Sequence, residues 1–189
     1  DIIESDDVAE VKKKVFQGSI RGLQENLAYL EDGILEKAVE ALYKSKRIFC
    51  LGYAASAAVA SDAFFKFNAI GLDAYFSTDS HVNAVVLSNL REGDVLFCIS
   101  HTGETKDIVV QAQKASATAM VIALTGSNDC PLAQAADITL CTHVEEMNYR
   151  TDAIVSRIVQ STIVGTLFTA LCIRRGKEGT ERLKTTRQS

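Results

Sequence analysis

Several patterns that would mark a specialised class of protein are missing from this sequence. Its five cysteines form no Cys-x-x-Cys pair, so we expect no metal site and no disulfide framework, but the buried, reduced thiols of a cytosolic protein. Its net charge of −4 leaves no basic footprint for nucleic acid. No apolar run reaches the length of a membrane span, and the first residues do not resemble a signal peptide. These absences predict a cytoplasmic location with no membrane contact.

What is present is the composition of an ordinary globular domain. Of the 189 residues, 47% are hydrophobic and 23% are charged, which suits one domain with a sizeable core. The chain opens abruptly on the acidic segment DIIESDDVAEVKKK. From this opening we expect the chain to be part of a longer protein.

Short apolar runs alternate with segments of helical length along most of the chain. The pattern predicts helices over residues 8–30, 33–45, 56–71, 80–89, 104–118 and 151–174, and strands over residues 47–52, 73–78, 94–100, 120–126 and 137–143. Continuous apolar strands separated by helices are typical of a parallel sheet covered on both faces. The predicted fold is therefore a doubly wound, three-layer α/β/α sandwich with five parallel strands, similar to flavodoxin. The polar segment 176–189 is expected to be a frayed tail.

In such a sheet, ligands bind beyond the carboxyl ends of the strands, near the point where the strand order reverses. This rule selects two turns, LGYAAS after the first strand (51–56) and SHTGET after the third (100–105). Both turns run from an apolar strand directly into a helix. We therefore expect them to face one another.

The turn SHTGET has the residue types of an anion site. A helix that begins near Glu104 presents unpaired N–H groups and the positive end of its dipole. Ser100, Thr102 and Thr105 add hydroxyl donors, and Gly103 permits close approach of the backbone. The alternative is a capped turn without a ligand, in which Thr102 is the N-cap and Thr105 the third helical residue. The turn alone leaves both interpretations open.

The second turn favours the anion site. Gly52 ends a strand and Ser56 stands at the expected helix start, where Ser56 is either an N-cap or a ligand contact. Neither turn carries the lysine of a nucleoside triphosphate loop. A small phosphorylated metabolite fits two such turns better than a nucleotide does.

The two turns resemble those of the sugar isomerase (SIS) domain family, which binds phosphosugars on a five-stranded parallel sheet. SHTGET is similar to the family pattern Ser-x-Ser-Gly-x-Thr, LGYAAS to its first loop Gly-x-Gly-x-Ser, and CPLAQAADITL to its approach to the last strand; the likeness covers about residues 33–175. Ala54 stands where the family often has Gly, which predicts a less tightly turned first loop. The resemblance implies that the phosphate is bound by Ser56, Ser100, Thr102, Thr105 and the backbone of His101.

The block that begins at Glu145, EEMNYRTDAIVSRIVQSTIVGTLFTAL, resembles the end of RpiR/MurR-family transcriptional regulators. Those proteins carry an N-terminal helix-turn-helix domain followed by a SIS domain that senses a phosphosugar. The resemblance implies a linker or dimerisation helix over residues 1–32, a SIS domain over 33–175 and a polar tail over 176–189. It further implies a homodimer or tetramer whose DNA contacts lie only in a helix-turn-helix domain outside this chain. No cofactor is implied.

The rest of the sugar needs polar contacts at the same edge of the sheet. The candidate sugar-binding residues are His81, Ala55, Glu145, Glu146 and Arg150. A lone histidine is more often structural, the Glu pair could be solvated charge, and Arg150 could serve in a salt bridge. We expect His143 to be structural.

Within the family likeness, an N-acetylated amino-sugar phosphate such as N-acetylmannosamine 6-phosphate fits best. The other function is an aldose–ketose isomerase or an amino-sugar phosphate lyase. Such enzymes need a carboxylate base and often a histidine. Glu104, Glu145 or Glu146, with His81 or His101, supply those types, so composition alone leaves catalysis open.

Overall fold

The computed structural model describes residues 2–145 and 153–188, without the side chains of residues 180 and 185–188. Seven helices and five strands are found in these ranges. In chain order they are α1 (Val8–Tyr29), α2 (Asp32–Lys44), β1 (Ile48–Leu51), α3 (Ala55–Ala69), β2 (Ala74–Phe76), α4 (Ser80–Leu87), β3 (Val95–Ser100), α5 (Lys106–Ala115), β4 (Met120–Thr125), α6 (Pro131–Gln134), β5 (Ile138–Cys141) and α7 (Ile154–Gln188). The predicted strand and helix order is confirmed, and α6 is an addition to it.

The five strands form one parallel sheet in the order β2-β1-β3-β4-β5. The chain moves outward from β1 to β2 and then returns to place β3 on the other side of β1. The strand order therefore reverses between β1 and β3. The turns after these two neighbouring strands leave the sheet at the same edge, as the sequence predicts.

Both faces of the sheet are covered, which explains the continuous apolar strands. Along β3, Val95, Phe97 and Ile99 face a core that is closed by α2, α3 and α7. Leu96 and Cys98 face a second core under α4, α5 and α6. Alternate residues thus serve two cores, and the predicted three-layer sandwich is confirmed.

The last helix, α7, lies across the first of these cores. Its stretch 154–179 is the one part of the described residues that is long and apolar enough to cross a membrane. Val164, Leu167 and Leu171 of this stretch are buried against the sheet, so we identify it as a core helix. Gly176, at φ +58°, interrupts the helix, and the chain continues as helix to Gln188.

The expectation of a frayed tail beyond residue 176 is therefore wrong. Leu183 packs against the core between the sheet and α7. A Cβ added at Gly71, just after α3, would lie 2.4 Å from Cδ of Arg182. These two contacts stabilise the mostly polar helical segment after Gly176, which would be only marginally stable as an isolated helix.

Candidate functional site

The turn after β3 folds back onto the end of its own strand. Ser100, the last residue of β3, is 3% exposed. Its Oγ accepts a hydrogen bond from the Gly103 N–H (3.2 Å) and lies 3.3 Å from Oγ1 of Thr105. The two hydroxyls predicted to bind an anion therefore lie side by side.

Gly103 is required at this turn for two reasons. It adopts φ +65°, which a side chain disfavours, and an added Cβ would lie 2.1 Å from Sγ of Cys130. Its carbonyl accepts a hydrogen bond from the Leu132 N–H at 3.0 Å. The loop is thereby fixed against the connection between β4 and α6.

The helix that follows starts later than the sequence suggests. It begins at Lys106, with Thr105 as N-cap, and the Thr105 side chain makes no cap hydrogen bond. The Thr102 hydroxyl accepts from the Glu104 N–H at 3.2 Å instead. The capped-turn interpretation, with Thr102 as N-cap, is therefore wrong. Among the described residues, no side chain accepts from the N–H groups of the first turn of α5.

His101 is tied to the sheet through its carbonyl. That carbonyl accepts from the Gly126 N–H (2.8 Å) and from Oγ1 of Thr125 (3.4 Å). The contact to an anion that the family likeness implies for its backbone would fall to its N–H group. Its Nδ1 is buried and has no hydrogen-bond partner among the described residues.

The turn after β1 is unusually tight. Ala54, the N-cap of α3, adopts φ +50° and ψ −126°, a conformation that only glycine adopts without strain. The expected loosening of this loop by Ala54 is therefore not observed. A Cβ added at Gly52 would lie 2.7 Å from the carbonyl oxygen of Ser56, so the helix start packs directly against the strand end.

Ser56 is not the helix cap that was one of its two interpretations. The helix begins at Ala55, so Ser56 is its second residue, half-buried, with its N–H donating to the Tyr53 carbonyl at 3.1 Å. Like α5, α3 has no side-chain cap. The hydroxyl of Ser56 is thus left to serve another purpose.

Among α3 to α6, the helices that directly follow β1 to β4, two starts are capped by a side chain and two are not. α4 and α6 are capped by the side chains of Asp79 and Cys130; α1, away from this edge, is capped by Asp7, whereas Glu31 at the start of α2 makes no cap hydrogen bond. α3 and α5, which follow the two strands that flank the reversal of strand order, are not capped by a side chain. Both starts present positive dipole ends without a carboxylate cap. The N–H groups of Ser56 and Ala57 in α3 donate to backbone carbonyls, whereas those of the first turn of α5 have no acceptor among the described residues.

His81 lies at the same edge of the sheet but in a neighbouring element. It is exposed in the first turn of α4, beyond β2, and its N–H donates to Oδ1 of Asp79 at 2.8 Å. The N–H groups of Val82 and His81 lower the pKa of the Asp79 carboxyl. The His81 ring makes no hydrogen bond within the part of the chain that the structure describes, so it is free to contact a ligand.

The remaining sugar-binding candidates are only partly described. Ala55 is half-buried at the start of α3, and Glu145 is exposed. Glu146 and Arg150 lie outside the described residues. For these four residues the assignment stays a prediction.

Asn26 of α1 fixes the segment after β5. Its Nδ2 donates to the His143 carbonyl at 2.6 Å, and its Oδ1 accepts from the His143 N–H at 2.8 Å. The His143 ring stacks at 5.0 Å from the Tyr29 ring. These contacts give His143 the structural role that the sequence predicts.

Sequence reasoning missed the contribution of the turn after β4. Thr125 and Gly126 support the His101 carbonyl, and Cys130 lies under Gly103. The Thr125 carbonyl in turn accepts from the Thr142 hydroxyl at 3.2 Å. The sequence did contain a signal for this contribution: β4 ends in Thr125-Gly126, which is similar to Thr102-Gly103 of SHTGET.

A concavity opens at the opposite, amino edge of the sheet. Its volume is about 1220 Å³, and charged side chains from α2, α7 and the loops before β3 and β5 line it. Several of those charges are paired: Glu40 with both Lys44 and Arg174, and Asp94 with Arg47.

Comparison with known proteins agrees with this geometry. A family model for the SIS domain matches residues 41–171, which include both uncapped turns. The chain belongs to the SIS domain family. Its five-stranded parallel α/β fold is the one that the resemblance implies.

Curated relatives of this SIS domain are named as transcriptional regulators. An uncharacterised helix-turn-helix-type regulator of Thermotoga maritima is 40% identical over 175 residues, covering 92% of this chain and 62% of the relative. The regulator HexR of Escherichia coli is 34% identical over 187 residues, covering 98% of this chain and 64% of the relative. The chain therefore spans somewhat less than two thirds of the relatives' length.

Solved structures share the fold at lower sequence identity. The Vibrio vulnificus NanR protein, complexed with ManNAc-6P, superposes with a TM-score of 0.88 at 24% identity, covering 96% of this chain and 69% of the other. Phosphoheptose isomerase from Neisseria gonorrhoeae has a TM-score of 0.72 at 23% identity, covering 87% and 98%. At these identities the likeness concerns the fold, which regulators and isomerases share.

Proposed function

We propose that this SIS domain is the effector-sensing part of a bacterial helix-turn-helix transcriptional regulator of sugar catabolism, and that its effector is a phosphosugar. The observation that carries the proposal is the pair of uncapped helix starts beyond β1 and β3. Their N–H groups have no side-chain acceptor, and the hydroxyls of Ser100 and Thr105 lie beside one of them. A phosphate dianion would accept hydrogen bonds from the N–H groups at the start of α5 and from these hydroxyls, and would be stabilised by both helix dipoles.

The chemistry of the donors favours a small phosphate ester. Hydroxyl and N–H donors bind a single phosphate without a lysine or a metal ion, unlike the loops that bind nucleoside triphosphates. The phosphate contacts are proposed for Ser56, Ser100, Thr102, Thr105 and the His101 N–H. The sugar would then extend towards His81, Ala55, Glu145, Glu146 and Arg150.

Among phosphosugars we propose an N-acetylated amino sugar, such as N-acetylmannosamine 6-phosphate. The small side chains of Ala54, Ala55 and Ala57 beside the loop leave room for an acetamido group. The structural neighbour NanR carries ManNAc-6P.

Regulation of transcription is proposed from the relatives. Helix-turn-helix regulators extend beyond the matched region, since the chain covers 62% and 64% of two of them. DNA would be bound by that further part, and the cytoplasm would be the site of action. We propose that the domain works as a homodimer, with residues 1–32 as linker and dimerisation helix, 33–175 as sensor and 176–189 as a terminal segment.

Thermal unfolding of the domain in the presence of sugar phosphates tests this proposal. At 100 times its Kd, a ligand stabilises by about 2.7 kcal/mol, which for a chain of this size raises Tm by roughly 5–10 °C. We expect N-acetylmannosamine 6-phosphate to do so. Ser100→Ala would lose about 1.5–3 kcal/mol of binding, or roughly ten- to a hundredfold in affinity.

Ser116→Ala is the matched control, because Ser116 is exposed at the opposite end of α5. It should respond to the ligand as the wild type does. If no sugar phosphate raises the Tm of the wild type, or if Ser100→Ala responds equally, the site assignment is wrong.

An aldose–ketose isomerase, or an amino-sugar phosphate lyase, is the second candidate, because a phosphoheptose isomerase shares the fold. Glu104 is exposed and follows directly on Gly103 of the loop, where a carboxylate base could reach a bound sugar. Incubation with candidate phosphosugars, followed by NMR of the carbohydrate, separates the two functions. Turnover at about 1 per second or faster would be typical of an enzyme and would refute the pure sensor.

A further inference from the structure

Helix α1 contains a buried polar side chain, that of Asn26, which is 5% exposed. Asn26 lies on the same face as Gly18 and Gly22, the other buried residues of this helix. Its Nδ2 donates to the carbonyls of Gly22 at 2.8 Å and His143 at 2.6 Å, and its Oδ1 accepts from the His143 N–H at 2.8 Å. The side-chain amide of Asn26 therefore pairs with both backbone groups of His143, as a neighbouring strand would.

About one helical turn earlier on the same face, Gly22 fixes the start of α7. A Cβ added at Gly22 would lie 2.5 Å from Cγ1 of Val155, which is itself buried. Asn26 and Gly22, which we call the α1 clamp, therefore contact the chain just before and just after segment 144–154. This segment contains three of the proposed sugar-binding residues, Glu145, Glu146 and Arg150.

A line of hydrogen bonds continues from His143 to the loop SHTGET. Thr142, the residue before His143, is fully buried, and its N–H and hydroxyl both donate to the Thr125 carbonyl, at 2.8 and 3.2 Å. The hydroxyl of Thr125, which is also fully buried, donates to the His101 carbonyl at 3.4 Å. The Gly126 N–H donates to the same oxygen at 2.8 Å. Since His101 belongs to SHTGET, the line ends in the loop proposed to bind phosphate.

This line resists displacement more strictly than apolar packing does. Because Asn26, Thr142 and Thr125 are all buried, a broken hydrogen bond would leave a buried polar group without a partner. A shift of α1 at Asn26 must therefore either move the His101 carbonyl or break the line. Energetic coupling between distant sites is carried by contiguous hydrogen-bond networks and packed side chains of this kind.

We propose that the α1 clamp positions the effector site, so that binding of the phosphosugar and docking of α1 on α7 are coupled. Asn26 is a positioning residue: it acts on the loop SHTGET through Thr142 and Thr125 without touching the effector. By reciprocity, a bound effector stabilises the docked α1 as much as the docked α1 stabilises the bound effector. The inference rests on the proposed function, in which residues 1–32 are the linker, and it gives the effector a route to the DNA-binding part.

Hydrogen exchange of the 189-residue chain, measured without any ligand, tests the clamp by itself. We expect Asn26→Ala to speed exchange of the Thr142 and Gly126 N–H groups by at least about tenfold, because their hydrogen bonds lie further along the line. Alanine is a better helix former than asparagine, so a loss of helix propensity in α1 would not produce this result.

Ser19→Ala is the matched control, because it removes a different hydrogen bond of the same helix, from the Ser19 hydroxyl to the Val15 carbonyl. It should leave both exchange rates unchanged. The Val121 N–H, which donates to the Asp137 carboxylate at the amino edge, reports any general loss of stability and should exchange equally in all variants. If Asn26→Ala matches Ser19→Ala, or if Val121 accelerates as much as Gly126, the clamp does not position the loop.

Exchange of side-chain size tests the coupling to the effector, by calorimetric titration with N-acetylmannosamine 6-phosphate. Gly22→Ala should weaken binding about fivefold to a hundredfold, because the new Cβ overlaps Val155, a buried β-branched residue with little freedom to turn aside. Gly22→Ala/Val155→Ala removes the overlap and should recover most of the affinity. Wild-type affinity in Gly22→Ala, or no recovery in the double variant, would overturn the inference. A wild type that binds no sugar phosphate would refute the proposed function instead, and the ligand-free exchange rates would then decide on the clamp alone.

Discussion

The two edges of the sheet differ in whether their charged and polar groups are paired within the protein. At the amino edge, charged groups satisfy one another: Nε of Arg47 donates to Asp94 at 3.0 Å, and the Asp137 carboxylate accepts from the Val121 N–H at 2.7 Å. At the carboxyl edge, the starts of α3 and α5 are left without side-chain caps, and Ala54 adopts a strained conformation. Binding capacity is indicated by donors that the protein does not satisfy, rather than by the size of a cavity.

This difference has a physical cause in the topology. Parallel strands send their helix starts to the carboxyl edge, so positive dipole ends accumulate there. At the same edge, α4 is capped by Asp79, whereas α3 and α5 are not capped by a side chain. Leaving the α3 and α5 starts uncapped costs stability that a bound anion would return.

The largest expected effect is that of Gly103→Ala at the carboxyl edge. The new Cβ would overlap Sγ of Cys130 at a positive φ, so we expect a loss of about 2–4 kcal/mol in unfolding free energy and no Tm response to sugar phosphates. Urea unfolding with and without ligand measures both. Gly33→Ala is the control, since a Cβ there has nothing within 4 Å, and it should be neutral or stabilising. If Gly103→Ala matches this control, the loop is not fixed as described.

At the amino edge, Asp94→Asn should destabilise without affecting the ligand response. Burial raises the pKa of the Asp94 carboxyl, but hydrogen bonds from Arg47 and from the Arg91 N–H outweigh burial, and the pKa is lowered overall. We expect a loss of about 2 kcal/mol at pH 7, measured by urea unfolding. The Tm increase caused by a sugar phosphate should equal that of the wild type.

The pH dependence of the same pair gives an independent check. Because the pKa of Asp94 is lower in the folded state, its carboxylate stabilises the fold above the unfolded pKa of about 3.9. That stability is lost as the pH falls through the lower, folded pKa. The wild type and Asp94→Asn should therefore converge in unfolding free energy between about pH 5 and pH 2. A difference that stays constant over this range would contradict the role given to Asp94.

The smallest predicted effect is that of Ala54→Gly. Removing the Cβ at φ +50° relieves strain, so we expect a gain of about 1 kcal/mol, or roughly 2–4 °C in Tm. Ala57→Gly, inside the regular part of α3, should instead lose about 1 kcal/mol. Equal losses in both variants would show that Ala54 is not strained.

Most of the fold was predictable because burial on two faces leaves a strong signal. The apolar run within 94–100 is typical of a central strand, and β3 occupies Val95–Ser100. The order of strands and helices then follows from chain connectivity. The turns were found because their Ser, Thr and Gly residues follow apolar strands.

What the sequence did not predict depends on contacts between distant segments. The start of α5 at Lys106 rather than near Glu104 follows from the Ser100–Thr105 contact. The packing of Leu183 turned an expected tail into a helix. The support of Gly103 by Cys130 comes from a loop 27 residues further along the chain. No local propensity encodes such contacts.

Isothermal titration of the wild-type domain with N-acetylmannosamine 6-phosphate and with unphosphorylated N-acetylmannosamine tests the central claim most directly. If the uncapped starts of α3 and α5 bind a phosphate, the phosphorylated sugar should bind at least about a hundredfold more tightly, since a dianion bound by several charge-assisted hydrogen bonds contributes well over 2.7 kcal/mol. Similar affinities for the two sugars, or binding of neither together with no response to any other sugar phosphate, would contradict the account.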